Sequence, residues 1–276
     1  MFCKIAKHGQ IVNDRHNAFI SDYLDGIIEE ASANGFDVQV AAFSSIPLQS
    51  VYDEINAYQN IAGCIILSTE FSESDIKLFG NLKKPFVFLD SVFDFEQYDF
   101  ATMDNENMTF QMIKYFKDCG HTEIGMFYCE HASNFLRRKK SFIKALEFLG
   151  IEFKQEWMFE VGSTLETSRQ SILERVKLCK KLPTAFFAIN DIVAIGAIEA
   201  LQSIGIDIPL DISIGGFDDI PASSLINPSL TTISVPKFDI GRVSVSALFR
   251  QINDRKMYKS QKIILSGEII IRQSSK

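Results

Sequence analysis

The segment Pro183–Gly205, PTAFFAINDIVAIGAIEALQSIG, is the stretch that most clearly indicates the fold of this chain. An apolar run, Ala185–Ile189, ends in the short polar residues Asn190 and Asp191, and a segment of helical periodicity then stops at Gly205. This order is typical of a strand that delivers polar side chains to a helix N-terminus. It places those side chains at the carboxyl edge of a parallel sheet, where open α/β sheets bind small ligands.

A second predicted strand ends in the same way. The stretch Ile212–Asp219, ISIGGFDD, is apolar until it reaches the carboxylates of Asp218 and Asp219. Because the carboxyl ends of neighbouring parallel strands meet at one edge, we expect both polar pairs to lie there. They indicate a small-molecule pocket rather than a catalytic motif.

Apolar strands alternate with amphipathic helices along almost the whole chain, and most strands are apolar on both faces, as in parallel sheets covered by helices. Strands are predicted at Gly9–Val12 (the end of a first strand), Asp37–Phe43, Ala62–Leu67, Pro85–Leu89, Ile124–Tyr128, Phe159–Val161, Ala185–Ile189, Ile212–Phe217, Thr231–Val235, Ile263–Leu265 and Glu268–Ile271. Helices are predicted at Phe19–Ala33, Val51–Tyr58, Ser74–Leu82 (capped by Ser74), Asn105–Cys119 (capped by Asn105), Asn134–Leu149, Thr167–Lys181, after Asn190, and at Phe238–Asn253.

The alternation restarts near residues 102–106, and 276 residues exceed one average domain. We therefore predict an α/β protein of two Rossmann-like lobes with parallel sheets. The C-terminal segments are too short for a core of their own, so the chain is expected to cross back between the lobes several times and form a hinge. The expected lobes are 1–104 plus 237–265, and 105–236 plus 266–276.

Composition and motifs exclude several classes of function. The net charge of −7 argues against direct binding to the DNA backbone, and no apolar run approaches the roughly 18–20 residues of a membrane span. Five scattered cysteines without CxxC spacing indicate reduced thiols of a cytoplasmic protein. No HxxxH, HExxH, GxSxG, GxGxxG or Walker A motif is present, so we expect no metal, no cofactor and no enzymatic activity.

Several segments, in order and at natural spacing, carry a family resemblance: GQIVND, NAFISDYLDGIIEEASANGFDV, CGHTEIGMF, RKKSFIKAL, TAFFAINDIVAIGAIEAL, IPLDISIGGFDD, LTTISVPKFDIG and EIIIRQSS. From about Gly9 to the C-terminus the chain resembles the effector-binding core of the lactose-repressor/galactose-repressor (LacI/GalR) family of bacterial transcription regulators. That family has a periplasmic-binding-protein-like fold. The resemblance implies a ligand-sensing core whose closure on a small polar effector controls DNA binding.

The resemblance also implies that Asn13, Asn17, Phe19, Arg138 and Asp218 contact the effector. Asp90 and Asn190 join these candidates because they lie at strand ends and carry polar side chains. Four of these residues have a plainer alternative. Arg138 could be a solvated member of the basic run RRKK, Asn190 a helix N-cap beside Asp191, and Asp218 a strand-end residue that satisfies loop amides. Phe19 could simply pack in the core. Asp104 is expected to cap a helix, and Asp219 and His121 to be structural.

Further partners follow from the same resemblance. Family members dimerise through helix faces, so we expect a homodimer with candidate faces on the helices at 51–58, 74–82 and 238–253. Operator DNA is expected to bind only through a helix-turn-helix domain absent from this chain. A sugar or sugar derivative is the first effector hypothesis, with a purine or a phosphorylated sugar as alternatives. An exported sugar-binding protein of a transporter, or an enzyme on a similar scaffold, is the alternative function.

Overall fold

The chain folds into two compact units in a computed structural model. It describes residues 1–7, 14–44, 46–130, 132–254 and 258–276, and for residues 14–18 it describes the backbone alone. The first unit comprises Met1–Met103, Ala132–Asn134 and Pro236–Leu265, and the second comprises Asp104–His131, Phe135–Val235 and Ser266–Lys276. The predicted α/β class with two sets of parallel strands is confirmed.

The described strands of the first unit form a six-stranded parallel sheet in the order β11-β5-β4-β3-β1-β2. Its strands are β1 (Phe2–Ala6), β2 (Val40–Ser44), β3 (Cys64–Leu67), β4 (Phe86–Leu89), β5 (Phe100–Met103) and β11 (Lys262–Leu265). Its helices are α1 (Asp14–Ala33), α2 (Leu48–Ala57), α3 (Glu73–Phe79) and α8 (Lys237–Asn253).

Helices α1 and α8 touch backbone to backbone. A Cβ atom on Gly26 would lie 2.0 Å from the Phe238 carbonyl oxygen, and one on Gly241 would lie 2.3 Å from the Tyr23 carbonyl oxygen. Only glycine permits this approach. Helix α8 therefore buries Ile240, Gly241, Ser244 and Leu248, among others, within its own unit.

The described strands of the second unit form a four-stranded parallel sheet, β7-β6-β8-β9, and an antiparallel pair, β10-β12. These are β6 (Ile124–Tyr128), β7 (Met158–Glu160), β8 (Ala185–Ala188), β9 (Ser213–Gly215), β10 (Thr232–Ser234) and β12 (Glu268–Ile270). Its helices are α4 (Asn105–Asp118), α5 (Ser133–Leu149), α6 (Leu165–Val176) and α7 (Asp191–Ser203). The first residues of α5, up to Asn134, group with the first unit.

The imidazole ring of His121 contacts three segments of the second unit. Its ring nitrogens lie 2.8 Å from Thr184 Oγ1, 3.0 Å from Ser213 Oγ and 3.2 Å from the Lys276 carbonyl oxygen. Burial lowers the pKa of the imidazole below its usual value, because it disfavours the charged form. The neutral ring therefore links strand β9 to the chain terminus.

Several elements differ from the sequence-based prediction. The structure has a strand, β5, that was not predicted. Helix α3 begins at Glu73 and is capped by Ser72, so the predicted Ser74 cap is wrong. The cap of α4 is Asp104, whose carboxylate accepts from the Asn107 N–H, and Asn105 is the first helical residue. The predicted strand end Gly9–Val12 lies outside the described residues.

Among the described residues, no helix is long and apolar enough to cross a membrane.

Candidate functional site

Asn190 lies between the end of strand β8 and the start of helix α7. Its Oδ1 accepts a hydrogen bond of 3.0 Å from the Val193 N–H, so it is the N-cap of α7. The residue is 2% exposed, and its Nδ2 makes no hydrogen bond with any residue that the structure describes. The Nδ2 group is therefore a donor available to a ligand or to water.

Asp191 suits the N-cap position by sequence as well as Asn190 does, but it does not cap the helix. Its side chain is fully buried and accepts from the Ile220 N–H at 3.0 Å, the Ser223 hydroxyl at 2.7 Å and the Thr232 hydroxyl at 2.5 Å. Burial raises the pKa of this carboxyl above its ordinary value, and the three hydrogen bonds oppose that rise. Asp191 therefore joins α7 to two following segments.

Asp218 and Asp219 follow strand β9, and both have positive φ angles, 120° and 49°. A positive φ is uncommon outside glycine, and the strained turn directs the two carboxylates to different partners. Asp218 Oδ1 lies 3.3 Å from Arg138 Nη2, whereas Asp219 Oδ1 accepts a 2.8 Å hydrogen bond from Arg272 Nη2. The Asp219 pair anchors the C-terminal segment.

Arg138 on α5 is buried, with 2% of its surface exposed. Its Nε donates to Asn105 Oδ1 at 2.9 Å, its Nη1 donates to the Ile189 carbonyl at 2.8 Å, and its guanidinium carbon lies 3.6 Å from the centroid of the Phe217 ring. A buried cation needs such partners to offset its desolvation. These contacts hold the guanidinium rigidly beside Asp218.

The structure thus gathers Arg138, Asn190 and Asp218 at the carboxyl edge of the second unit's sheet. The group offers an amide donor and a carboxylate acceptor, both positioned by buried neighbours. The thiol of Cys129, which follows strand β6, is buried, and burial raises its pKa to about 12. The thiolate is the reactive form of cysteine, so the Cys129 thiol is a poor nucleophile at physiological pH.

The first unit has its own strand-end cluster around Asp90, which follows β4 with a φ of 65°. The Asp90 carboxylate accepts from the Tyr23 hydroxyl at 2.8 Å and from the Thr69 hydroxyl at 2.5 Å. Asn134 Nδ2 donates to the Asp90 carbonyl at 2.8 Å and to its Oδ1 at 3.2 Å. Asp90 is 2% exposed and is fixed by uncharged donors.

Phe19 is half-buried beside this cluster. Its ring packs edge to face on Tyr23, with 5.3 Å between centroids, and the Lys237 ammonium lies 5.2 Å from the Phe19 centroid. Asn13 lies outside the described residues, and Asn17 lies in α1 at a position where the side chain is not described. The structure places Phe19 and Asp90 in the first unit and the other described candidates in the second.

Sequence reasoning missed several residues that build these clusters. Asn105 and Asn134 were interpreted only as helix starts, yet each makes a side-chain hydrogen bond to a candidate site residue. Tyr23, Phe217 and Lys237 come from segments far apart in the chain, and no local pattern marks them. Within the described ranges, no group of three or more His, Cys, Asp or Glu residues could hold a metal ion.

The chain matches a known family and known repressors. The family profile described as "periplasmic binding protein-like domain" matches residues 113–275. The HTH-type transcriptional repressor PurR of Pasteurella multocida is 27% identical over 271 residues, covering 97% of this chain and 80% of the relative. The repressor of the same name from Haemophilus influenzae is 28% identical over 280 residues, covering 97% and 81%. These relatives are named as repressors, not enzymes, which confirms the non-enzymatic prediction.

Solved structures of transcription regulators share the fold. A CelR–cellobiose complex superimposes with a TM-score of 0.87 at 18% identity, covering 99% of this chain and 83% of that one. A LacI-family regulatory protein from Chloroflexus aggregans gives 0.86 at 24%, covering 100% and 98%. A LacI-family regulator from Enterococcus faecium with bound ribose gives 0.80 at 23%, covering 99% and 98%. With the repressors above, they confirm the resemblance to a LacI/GalR effector-binding core.

Proposed function

The chain belongs to the periplasmic binding protein-like domain family, and we propose that it is the ligand-sensing core of a bacterial transcriptional regulator. Its effector is a small polar molecule, a sugar or sugar derivative. The strand-end residues bind this effector, and binding controls the attachment of the regulator to DNA through a separate domain. The protein acts in the cytoplasm as a homodimer.

One observation carries this proposal. The buried guanidinium of Arg138 lies against Asp218, next to Asn190 with its available amide, at the edge of a parallel sheet where α/β proteins bind ligands. A carboxylate accepts hydrogen bonds from vicinal hydroxyls, and an amide both donates and accepts. This combination suits a polyhydroxylated ligand. The cellobiose and ribose bound to two structural neighbours support the same chemical class.

Each candidate residue has a proposed role. Asp218 accepts hydrogen bonds from ligand hydroxyls and Asn190 donates to them, while Arg138 orients Asp218 and adds positive charge. Phe19 offers an aromatic surface, and Asp90 a carboxylate held by neutral donors. Asn13 and Asn17 remain predicted contacts of the first strand–helix turn.

The regulatory step requires that the effector favour one conformational state over another, since a ligand shifts an equilibrium only by its differential affinity. Closure of two lobes on the ligand stays a prediction from the sequence. The homodimer is tested by sedimentation velocity of the purified chain with and without effector. A monomer under both conditions would contradict it.

The experiment that tests the proposed function is a thermal-shift screen against monosaccharides, disaccharides, sugar acids, sugar phosphates and purines. A ligand at about 100 times its Kd adds roughly 2.7 kcal/mol to the free energy of unfolding. That raises the melting temperature by several degrees in a protein of this size. We expect one chemical class to give such shifts, and no shift across the panel would contradict the proposal.

A further inference from the structure

The indole of Trp157 carries a buried hydrogen-bond donor in the second unit. The residue is 2% exposed, and its Nε1–H has no acceptor within the described part of the chain. Trp157 ends a short 3₁₀ turn, Gln155–Trp157, that leads directly into strand β7. The indole nitrogen can only donate, and a buried tryptophan N–H usually has a partner. This donor therefore calls for an acceptor that the described residues do not supply.

A cavity of about 370 Å³ borders the Trp157 side chain. Its walls also include Leu149 and Ile151, at and just beyond the end of α5, and Glu123, which directly precedes β6. Because β6 and β7 are parallel to β8 and β9, their starts lie at the sheet edge opposite the effector candidates. The volume is within the range of small-molecule sites, roughly 300–1,000 Å³.

The charged side chains in the cavity wall balance one another. The wall contains two lysines, Lys117 and Lys154, and two glutamates, Glu123 and Glu152. Lys154 Nζ lies 3.6 Å from Glu152 Oε2, Glu123 pairs with Lys181, and Lys117 Nζ donates to the carbonyl that ends α5 at 2.7 Å. The lining therefore has no net charge, and it favours a neutral ligand over an ionised one.

We propose that this cavity is a second small-molecule site, which binds a neutral ligand with a carbonyl oxygen on an apolar body. The carbonyl oxygen accepts from Trp157 Nε1–H, and the apolar body packs against Leu149 and Ile151. Lys154 Nζ lies 4.4 Å from the centroid of the Trp157 ring, and this flexible side chain moves aside to admit the ligand. The site is separate from the proposed effector site in the same unit.

The first test uses the wild-type chain and three small probes that share an aromatic ring. Benzamide carries a neutral carbonyl, benzoate a charged one, and toluene none. Trp157 is the sole tryptophan, so its indole N–H gives one identifiable signal in a proton–nitrogen correlation spectrum. We expect benzamide to shift this signal saturably and to bind roughly fivefold more tightly than toluene or benzoate, as for one net hydrogen bond.

The second test assigns the preference to the indole donor. Trp157→Phe keeps an aromatic ring in the buried position and removes the N–H, whereas Phe148→Leu changes an aromatic side chain that is 80% exposed and outside the cavity. Ligand-observed NMR measures benzamide and toluene binding to each variant. We expect Trp157→Phe to bring the benzamide affinity down to that of toluene, a loss of roughly fivefold, and Phe148→Leu to leave it unchanged.

Each outcome decides one part of the proposal. The absence of a saturable indole shift with benzamide, or equally tight binding of toluene, would overturn the site. Equal or tighter binding of benzoate would overturn the neutral class, and an unchanged benzamide affinity in Trp157→Phe would overturn the role of the indole donor. The comparison on the wild-type chain decides the site even if Trp157→Phe fails to fold. The proposed function is tested by the thermal-shift screen and stands if this second site fails.

Discussion

At the residue scale, two adjacent aspartates with positive φ angles have separate partners. Asp218 is 3.3 Å from the buried Arg138, and Asp219 is paired with Arg272 at 2.8 Å. The side chains of Asp219 and Arg272 are partly exposed, at 22% and 19%. The first pair lies at the candidate site, and the second anchors the C-terminal segment. The same Asp→Asn substitution can therefore be made at the candidate site and, as a control, at the neighbouring anchoring residue.

We expect Asp218→Asn to weaken effector binding roughly tenfold or more. A carboxylate accepts hydrogen bonds from ligand hydroxyls with both of its oxygens, whereas an amide accepts them with only one atom. Asp219→Asn should keep full affinity and lower the free energy of unfolding by about 1 kcal/mol or less, as for a partly exposed ion pair. Titration calorimetry with the effector found in the screen, and urea unfolding, measure the two effects. Equal loss of affinity in both variants would contradict the assignment.

The sequence predicts where polar residues leave the strands, but not how each one is used. Asn190 and Asp191 both suit a helix cap, and only the segments that fold over Asp191 decide between them, because they bring three donors to its carboxylate. Arg137 and Arg138 are adjacent and chemically alike. Burial by Asn105, Ile189 and Phe217 distinguishes Arg138, and these partners come from other elements.

At the element scale, the N-terminus of α7 depends on Asp191. The carboxylate is fully buried and satisfies donors from the Pro221–Ser224 turn region and from β10. Removal of a buried acceptor leaves its donors unpaired, at a cost of about 1–3 kcal/mol for each group. This single side chain therefore holds three segments together.

We expect Asp191→Ala to lower the free energy of unfolding by about 3 kcal/mol or more, because the Ile220 N–H and two hydroxyls lose their acceptor. Asp191→Asn should cost less, since its amide oxygen still accepts, its amide donates to the Thr232 hydroxyl oxygen, and the buried charge is gone. Urea unfolding followed by the fluorescence of Trp157, the sole tryptophan, reports on the second unit. Equal destabilisation by both variants would contradict this account.

His121 makes the stability of the second unit depend on pH. Its folded-state pKa lies below the usual 6.5, so protonation favours the unfolded chain. Its contribution is present above pH 6.5 and is lost as the pH falls through the lowered folded-state pKa. In urea unfolding between pH 7.5 and pH 5, we expect the wild type to lose more stability than His121→Gln. Parallel pH profiles for the two proteins would show that His121 does not contribute.

The sequence predicts well those elements that have strong apolar periodicity and clear end signals. It predicts poorly those elements whose ends no glycine, proline or single capping residue marks. Helix α5 and strand β6 match their predicted spans to within a residue, because glycines and apolar periodicity mark their ends. Strand β5 was missed because Phe100–Met103 follows an acidic, aromatic loop without a clear break and overlaps the join between lobes predicted near residues 102–106. The cap of α3 shifted to Ser72 because two serines compete for that position.

At the scale of the whole molecule, the net negative charge argues against direct DNA binding by this chain. The chain has 28 basic and 35 acidic residues, a net charge of −7. Non-specific DNA binding depends on cations that neutralise phosphates and release counterions. A chain with net negative charge is not expected to gain affinity for DNA from counterion release. This agrees with a core that acts through a separate DNA-binding domain.

We expect the purified 276-residue chain to show no measurable affinity for duplex DNA at physiological salt, with or without effector. Fluorescence anisotropy of a labelled duplex, titrated with protein at two salt concentrations, measures this. Salt-sensitive binding at micromolar protein would contradict the prediction, because it would place a DNA-binding surface on the described core.

We propose that a small polar effector binds the residues at the strand ends of the second unit. A crystal structure of the chain with the effector found in the screen tests this most directly. We expect ligand oxygens within about 3.2 Å of the Asp218 carboxylate and the Asn190 amide, a normal hydrogen-bond distance. A ligand bound elsewhere, with no ligand atom within hydrogen-bond distance of the Asp218 carboxylate or the Asn190 amide, would contradict it.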